Sequence, residues 1–115
     1  MKMKRFTLLL IVFFVGFVYA ENAKVEKAAL GSKENPVRCH MPQGEHAYLQ
    51  RLTGPKGEKV TFRRRGSVIA GKDGHILDVY EVMYAGNDQV FDIYMDMYHD
   101  HIEKKAVKGF KIKKP

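Results

Sequence analysis

The chain has 115 residues, a formal charge of +7 and a single cysteine. This length accommodates one domain with a modest core, and the single cysteine excludes an internal disulfide. The basic excess is mild, so we do not expect a dedicated nucleic-acid binder.

Residues 1–20 have the pattern of a secretory signal peptide. Three basic residues precede the apolar run 6–18, and Val18-Tyr19-Ala20 follows with small residues at the cleavage positions. The alternative is an uncleaved anchor, but the run is shorter than the ~20 residues that a spanning helix needs. We therefore predict cleavage after Ala20 and a periplasmic or secreted mature chain. That chain has 95 residues, with 17 basic and 13 acidic side chains, and a net charge of +4.

The mature chain divides into a polar leader and one small domain. We predict a flexible leader over residues 21–35 and a single domain over residues 36–115, which ends in a lysine-rich tail. Residues 36–39 are typical of a short strand. Pro42 suits a first helical turn, and the helix it begins has an apolar stripe and ends at Thr53-Gly54-Pro55. The stripe consists of Tyr48, Leu49 and Leu52.

Residues 58–65 alternate weakly between apolar and polar side chains, which predicts an edge strand. Gly66-Ser67 should break this strand, and residues 68–70 can resume it. Residues 71–74 then form a turn.

A β-hairpin over residues 75–99 is the strongest fold signal. Two similar runs, 77–80 and 91–94, flank residues 85–88, whose Gly and Asn favour a tight turn. In the second run one face should cover the core and the other should meet water. The inward residues are Phe91, Ile93, Met95 and Met97, and the outward residues are Asp92, Tyr94, Asp96 and Tyr98.

The hairpin register has two alternatives, which exchange the faces of the first strand. A two- or four-residue loop sets Glu81 opposite Asp92, whereas a three-residue loop sets Asp78 opposite Asp96. The loop of two or four residues, the even loop, buries Ile76, Tyr80, Val82 and Tyr84, with Asp78 among them. The loop of three residues, the odd loop, buries Leu77, Val79 and Met83, with Glu81 among them. We favour the even loop, because it buries two tyrosines whose hydroxyls can reach the sheet edge.

These elements predict an α+β fold. A short helix should pack on a small antiparallel β-meander of three to four strands, with the hairpin at about 75–99 in its centre.

Histidines and soft ligands suggest a metal site. His99 and His101 follow Met95 and Met97, and Cys39-His40-Met41 is a second cluster. In an exported protein, imidazole and thioether suggest copper. The competing interpretation is solvated histidines at a strand end. Cys39 is either a buried small apolar residue, which we favour, or an intermolecular disulfide or soft metal ligand.

Arg63, Arg64 and Arg65, together with the lysine-rich tail, could meet an anionic surface, although a solvated charge run is the simpler interpretation. The candidate binding residues are Arg63, Arg64, Arg65, Asp92, Tyr94, Asp96 and Tyr98. Ser67 lacks nucleophile-elbow neighbours, and paired carboxylates across the hairpin should face water, so we expect neither enzymatic activity nor a cofactor.

Several segments resemble those of small exported bacterial proteins of uncharacterised function. They are residues 30–38, residues 45–52, Asp96-Met97-Tyr98-His99 and Gly109-Phe110. The resemblance implies an envelope location and a single domain, and it carries over no site.

The sequence thus favours an exported, non-enzymatic binding domain. Its partner would be an envelope protein or an anionic envelope surface, with no nucleic acid and no transmembrane segment in the mature chain. The alternative function is periplasmic copper binding at His99 and His101.

Overall fold

A computed structural model describes residues 28–69 and 73–115. The predicted signal peptide and leader residues 21–27 lie outside the described residues. Among those that are described, no helix is long and apolar enough to cross a membrane.

One helix and six strands make up the described fold. Helix α1 is Met41–Arg51; the strands are β1 Val37–Arg38, β2 Leu52–Thr53, β3 Val60–Val68, β4 Leu77–Tyr84, β5 Phe91–Asp96 and β6 Lys111–Ile112. Four strands form a sheet in the order β1-β5-β4-β3, and β2 pairs with β6 in a separate two-stranded sheet. The α+β class is confirmed.

The sheet departs from an antiparallel meander at one edge. Strands β3, β4 and β5 pair antiparallel, but β1 runs parallel to β5, with Val37 beside Met95. Parallel neighbours need a long connection, which the chain between β1 and β5 supplies through α1, β3 and β4. A local pattern predicts that a strand exists, but not the edge or direction in which it pairs.

Helix α1 buries the predicted stripe against the sheet. Tyr48 and Leu49 are fully buried, and Leu52 just after the helix is nearly so. The Tyr48 hydroxyl donates to the carbonyl of Lys105 at 2.8 Å and accepts from the backbone N–H of Val107 at 3.1 Å. This buried hydroxyl therefore attaches the C-terminal tail to the helix, since a buried polar group needs its partners.

Strand β3 is an edge strand, as predicted, but Gly66-Ser67 does not break it. The strand continues to Val68, and its pairing with β4 shifts between Arg64 and Gly66. Such a bulge absorbs one extra residue and keeps the ladder going, and glycine adapts to its geometry at little steric cost.

The even hairpin register is confirmed. Glu81 lies opposite Asp92 and Tyr80 opposite Ile93, and Tyr80 and Val82 are buried in the core. Ile76 was expected in the core but is 48% exposed, because it precedes β4. The core residues of the rejected register, Leu77 and Val79, are also buried.

Two arginines of β3 compensate the like-charge pair in this register. Arg63 Nε lies 2.7 Å from Glu81 Oε1, and Arg65 Nη2 lies 3.2 Å from Asp92 Oδ2. Each pair is solvent-exposed and contributes about 0–1 kcal/mol. Their main effect is to remove the repulsion that would oppose this register.

The predicted inward face of β5 is confirmed, whereas its outward face is correct only in part. Ile93 and Met95 are buried, and Phe91 and Met97 pack against the core. On the other face Asp92 is exposed, but Asp96 is only 1% exposed, so its predicted exposure is wrong. Asp96 ends the strand, where neighbouring segments fold over it and replace water as hydrogen-bond donors.

Residues of the predicted leader and of the lysine-rich tail complete the core. Gly31, in the predicted leader, accepts a hydrogen bond at its carbonyl from the backbone N–H of Tyr94, at 2.8 Å. Its φ is +93°, and a Cβ there would approach Val107 to 3.0 Å. In the tail, Val107 and Phe110 are buried, and the Phe110 ring packs on that of Phe91.

Two methionines on adjacent strands test this assignment of faces. Met95→Ala should lower the free energy of unfolding by about 2–5 kcal/mol, because it leaves a cavity in the core. Met83→Ala removes the same side chain from a site that is 42% exposed. It should change the free energy of unfolding by no more than about 0.5 kcal/mol. Urea unfolding measures both, and equal losses would contradict the assignment.

Candidate metal centre

Two histidines and two aspartates meet where β4 begins and β5 ends. Asp73 and His75 come from the turn before β4, Asp96 is the last residue of β5, and His99 lies three residues further on. One ligand atom from each side chain falls in a group whose members all lie within 4.8 Å of one another.

The distances between these atoms suit one metal ion. Asp96 Oδ2 lies 2.8 Å from His75 Nδ1 and 3.0 Å from His99 Nε2. His99 Nε2 lies 3.6 Å from Asp73 Oδ2. Tetrahedral zinc with bonds of about 2.0–2.1 Å places its ligand atoms about 3.3 Å apart. These three separations lie within about half an ångström of that value, and the remaining pairs lie within 4.8 Å.

Asp96 anchors the group. Its Oδ1 accepts the backbone N–H of Tyr98 at 3.0 Å, and its carbonyl accepts the backbone N–H of Cys39 at 2.8 Å. Burial opposes ionisation, but hydrogen bonds from His75, Tyr98 and His99 outweigh it and hold the Asp96 pKa below its ordinary value. A buried, ionised carboxylate thus faces two imidazoles.

Neighbouring groups position the two histidines. The backbone N–H of His99 donates to the Cys39 carbonyl at 3.2 Å, and the His99 carbonyl lies 2.8 Å from Nδ1 of His40. The His75 ring packs on the Tyr98 ring, with centroids 5.2 Å apart. Supporting contacts of this kind orient metal-binding imidazoles in known sites.

Of the ligands predicted from the sequence, the structure places only His99 in this group. His99 belongs to the group, whereas His101 lies outside it, with its Nδ1 3.3 Å from Asp100. Met95 is in the core and Met97 packs against it. Cys39 is fully buried, as expected of a small apolar residue, and burial raises its pKa to about 12, so it is a neutral thiol.

Sequence reasoning missed Asp73, His75 and the role of Asp96. One signal was present: Asp73-Gly74-His75 immediately precedes the first hairpin strand. Because antiparallel pairing places the start of one strand beside the end of the next, these residues lie next to the end of β5. Continuing the observed register sets His75 opposite Tyr98, diagonal to Asp96.

The predicted binding residues do not form one site. Arg63, Arg64 and Arg65 each pair with a carboxylate, those of Glu81, Asp78 and Asp92. Tyr94 is half-buried, and Tyr98 is exposed beside His75.

A second carboxyl cluster lies inside the fold, around Glu45. Glu45 is 1% exposed and accepts the Tyr80 hydroxyl at Oε1, at 3.1 Å. Burial first, then the hydrogen bond and charge of Asp78, raise the Glu45 pKa to about 8. At neutral pH Glu45 is therefore protonated, and Asp78 is the acceptor available to its Oε2, which has no other hydrogen-bond partner.

Asp78 is the ionised member of this pair. Burial opposes its ionisation, but hydrogen bonds from Glu45, Ser67 and Arg64 outweigh it and hold the Asp78 pKa below its ordinary value. The Ser67 hydroxyl donates to Asp78 Oδ1 at 2.8 Å. The two carboxyl groups thus share one proton.

No protein-family model, curated protein or solved structure shows significant similarity to this chain.

Glu45→Gln tests the shared proton. Glu45 has a folded-state pKa of about 8 against an ordinary 4.5, so its stabilising effect is complete below pH 4.5 and is lost as pH rises through 8. Relative to E45Q, the wild-type free energy of unfolding should fall by about 1 kcal/mol per pH unit across that window.

Urea unfolding at pH 5, 7 and 9 measures the difference, and the exposed Glu34→Gln is the matched control. A gap between wild type and E45Q that is constant with pH would contradict the shared proton.

Proposed function

We propose that this domain binds one divalent transition-metal ion, Zn²⁺ by preference, through Asp73, His75, Asp96 and His99. The observation that carries the proposal is the position of two imidazole nitrogens within 3.0 Å of one buried carboxylate oxygen. A second carboxylate, that of Asp73, lies near enough to complete a tetrahedron.

Charge supports a divalent cation. The two aspartates bring two negative charges, which neutral imidazoles leave unbalanced and a dication neutralises. Hydrogen bonds already stabilise the buried Asp96 carboxylate, and a dication would add a direct opposite charge beside it.

The donor set favours zinc over the copper suggested by the sequence. Two nitrogens and two oxygens suit Zn²⁺, whereas Cu(I) prefers the thioethers that Met95 and Met97 place in and against the core. Cu(II) also accepts nitrogen and oxygen ligands and generally binds more tightly, so it should compete in vitro.

Binding to an envelope protein or anionic surface stays a prediction. Its main support was the arginine run, and each of these arginines has a carboxylate partner within the sheet. These ion pairs within the sheet explain the presence of the arginines without a binding partner. The proposed function is binding, with no reaction step.

We further propose that the protein acts outside the cytoplasm, on the strength of the signal-peptide pattern in residues 1–20. Expressed in a bacterium from Met1, it should be recovered from the periplasm or medium, beginning at Glu21. N-terminal sequencing and intact mass of the recovered protein measure this. A product that retains residues 1–20 would contradict cleavage.

Zinc titration followed by calorimetry tests the proposed function. The purified wild-type protein should bind one Zn²⁺ with a Kd below about 1 μM. His75→Ala and His99→Ala should each weaken binding by at least about 100-fold, because loss of even a supporting contact costs 10–100-fold in known sites.

Asp96→Asn separates ligand loss from misfolding. The amide oxygen can still accept from Tyr98, but the charge is gone, so the fold should persist while zinc affinity falls. His46→Ala, which changes an exposed helix histidine outside the group, is the control and should bind as wild type does. Equal zinc affinity in all variants would contradict the site, as would a wild-type protein that binds no zinc.

A further inference from the structure

We infer that His101 is the entry ligand of this centre, which captures the metal ion at the surface and passes it inward to His99. The inference rests on the proposed function and adds the route by which the site fills and empties. In this role His101 binds the ion only in transit, whereas the four resident ligands hold it at equilibrium.

Exposure increases steadily from the buried carboxylate outward. The exposed side-chain fraction is 2% at Asp96, 21% at His99 and 60% at His101. Along this row a hydrated ion therefore meets His101 before His99, and His99 before Asp96. An ion that binds His101 first gains a nitrogen ligand before it gives up the waters that the buried Asp96 cannot accommodate.

The imidazoles form a continuous row along this gradient. Ring centroids lie 5.6 Å apart between His75 and His99, and 5.8 Å apart between His99 and His101. In the proposed transfer, side-chain rotation lets the ion bond to the next ring while it keeps the previous one. The ion thus exchanges waters for nitrogens one at a time.

Asp100 makes His101 suitable for capture. The carboxylate is fully exposed and lies 3.3 Å from His101 Nδ1. It engages Nδ1 and leaves Nε2 as the nitrogen that takes the ion, and its negative charge raises the local concentration of cations. Carboxylate support of this kind is common beside metal-binding histidines.

Asp73 is the ligand that moves away from the site during transfer. Its 3.6 Å separation from His99 Nε2 is the longest of the contacts around the site, and its side chain is 46% exposed. As the ion moves from His101 to His99, Asp73 can move aside and then close as the fourth ligand. The step involves ligand exchange alone, with no bond made or broken within the protein.

Stopped-flow zinc loading, and zinc release into a chromogenic chelator, test the entry role. An entry ligand lowers the barrier in both directions. His101→Ala should therefore slow both rates by about tenfold, the effect typical of a supporting group, and leave the equilibrium Kd unchanged. His101→Asp restores a metal-binding side chain and should recover much of both rates.

Asp100→Asn and His46→Ala complete the design. The first should slow loading at low salt and lose this effect at high salt, because its contribution is electrostatic. The second should leave both rates unchanged. Unchanged rates in H101A would overturn the inference, and so would a large rise in its Kd, which would make His101 a resident ligand. Failure of the wild-type protein to bind zinc at equilibrium would instead overturn the proposed function, which separates the two.

Discussion

The antiparallel pairing of β4 with β5 is the constraint on which the rest of the fold depends. With Tyr80 opposite Ile93, both side chains enter the core, and Glu81 meets Asp92 on the other face. A slip of one residue would turn every side chain of β4 to the opposite face. The two arginines of β3 that neutralise Glu81 and Asp92 support this register electrostatically, while burial of the inward face supports it through the hydrophobic effect.

The same pairing builds the candidate metal centre. Because β4 starts where β5 ends, the turn that contains Asp73 and His75 is brought to Asp96 and His99. Strand β1 pairs with the other edge of β5, and the backbone N–H of Cys39 donates to the carbonyl of Asp96. The site therefore joins three separate parts of the chain, so an ion bound there would stabilise the folded state over the unfolded chain.

Two buried carboxyl groups illustrate different solutions to one physical problem. Asp96 stays ionised because two imidazoles and a backbone N–H donate to it, whereas Glu45 keeps its proton because burial opposes its ionisation and its close neighbour Asp78 is itself negative. Either arrangement avoids a buried, unpaired charge, which would strongly destabilise the fold. The first places a charged oxygen beside two imidazole nitrogens, which ligate a metal once their N–H protons have left. The second leaves Glu45 and Asp78 as a hydrogen-bonded pair with one shared proton and one negative charge.

Local patterns by themselves determined the helix, the hairpin and the inward face of β5. The spacing of Tyr48, Leu49 and Leu52, and the alternation from Phe91 to Met97, are properties of short segments and need no knowledge of the whole. In β4 the pattern left two registers open, and the structure explains why: Leu77 and Val79 are buried as well as Tyr80 and Val82. A strand covered on both faces does not alternate.

Tertiary structure alone decided the parallel placement of β1, the burial of Asp96 and Glu45, and the selection of His75 over His101 as a partner of His99. Each depends on contacts between residues far apart in sequence. His101 is two residues from His99, whereas His75 is 24 residues away. Only strand pairing brings His75 to the same carboxylate oxygen as His99, and proximity along the chain does not indicate this.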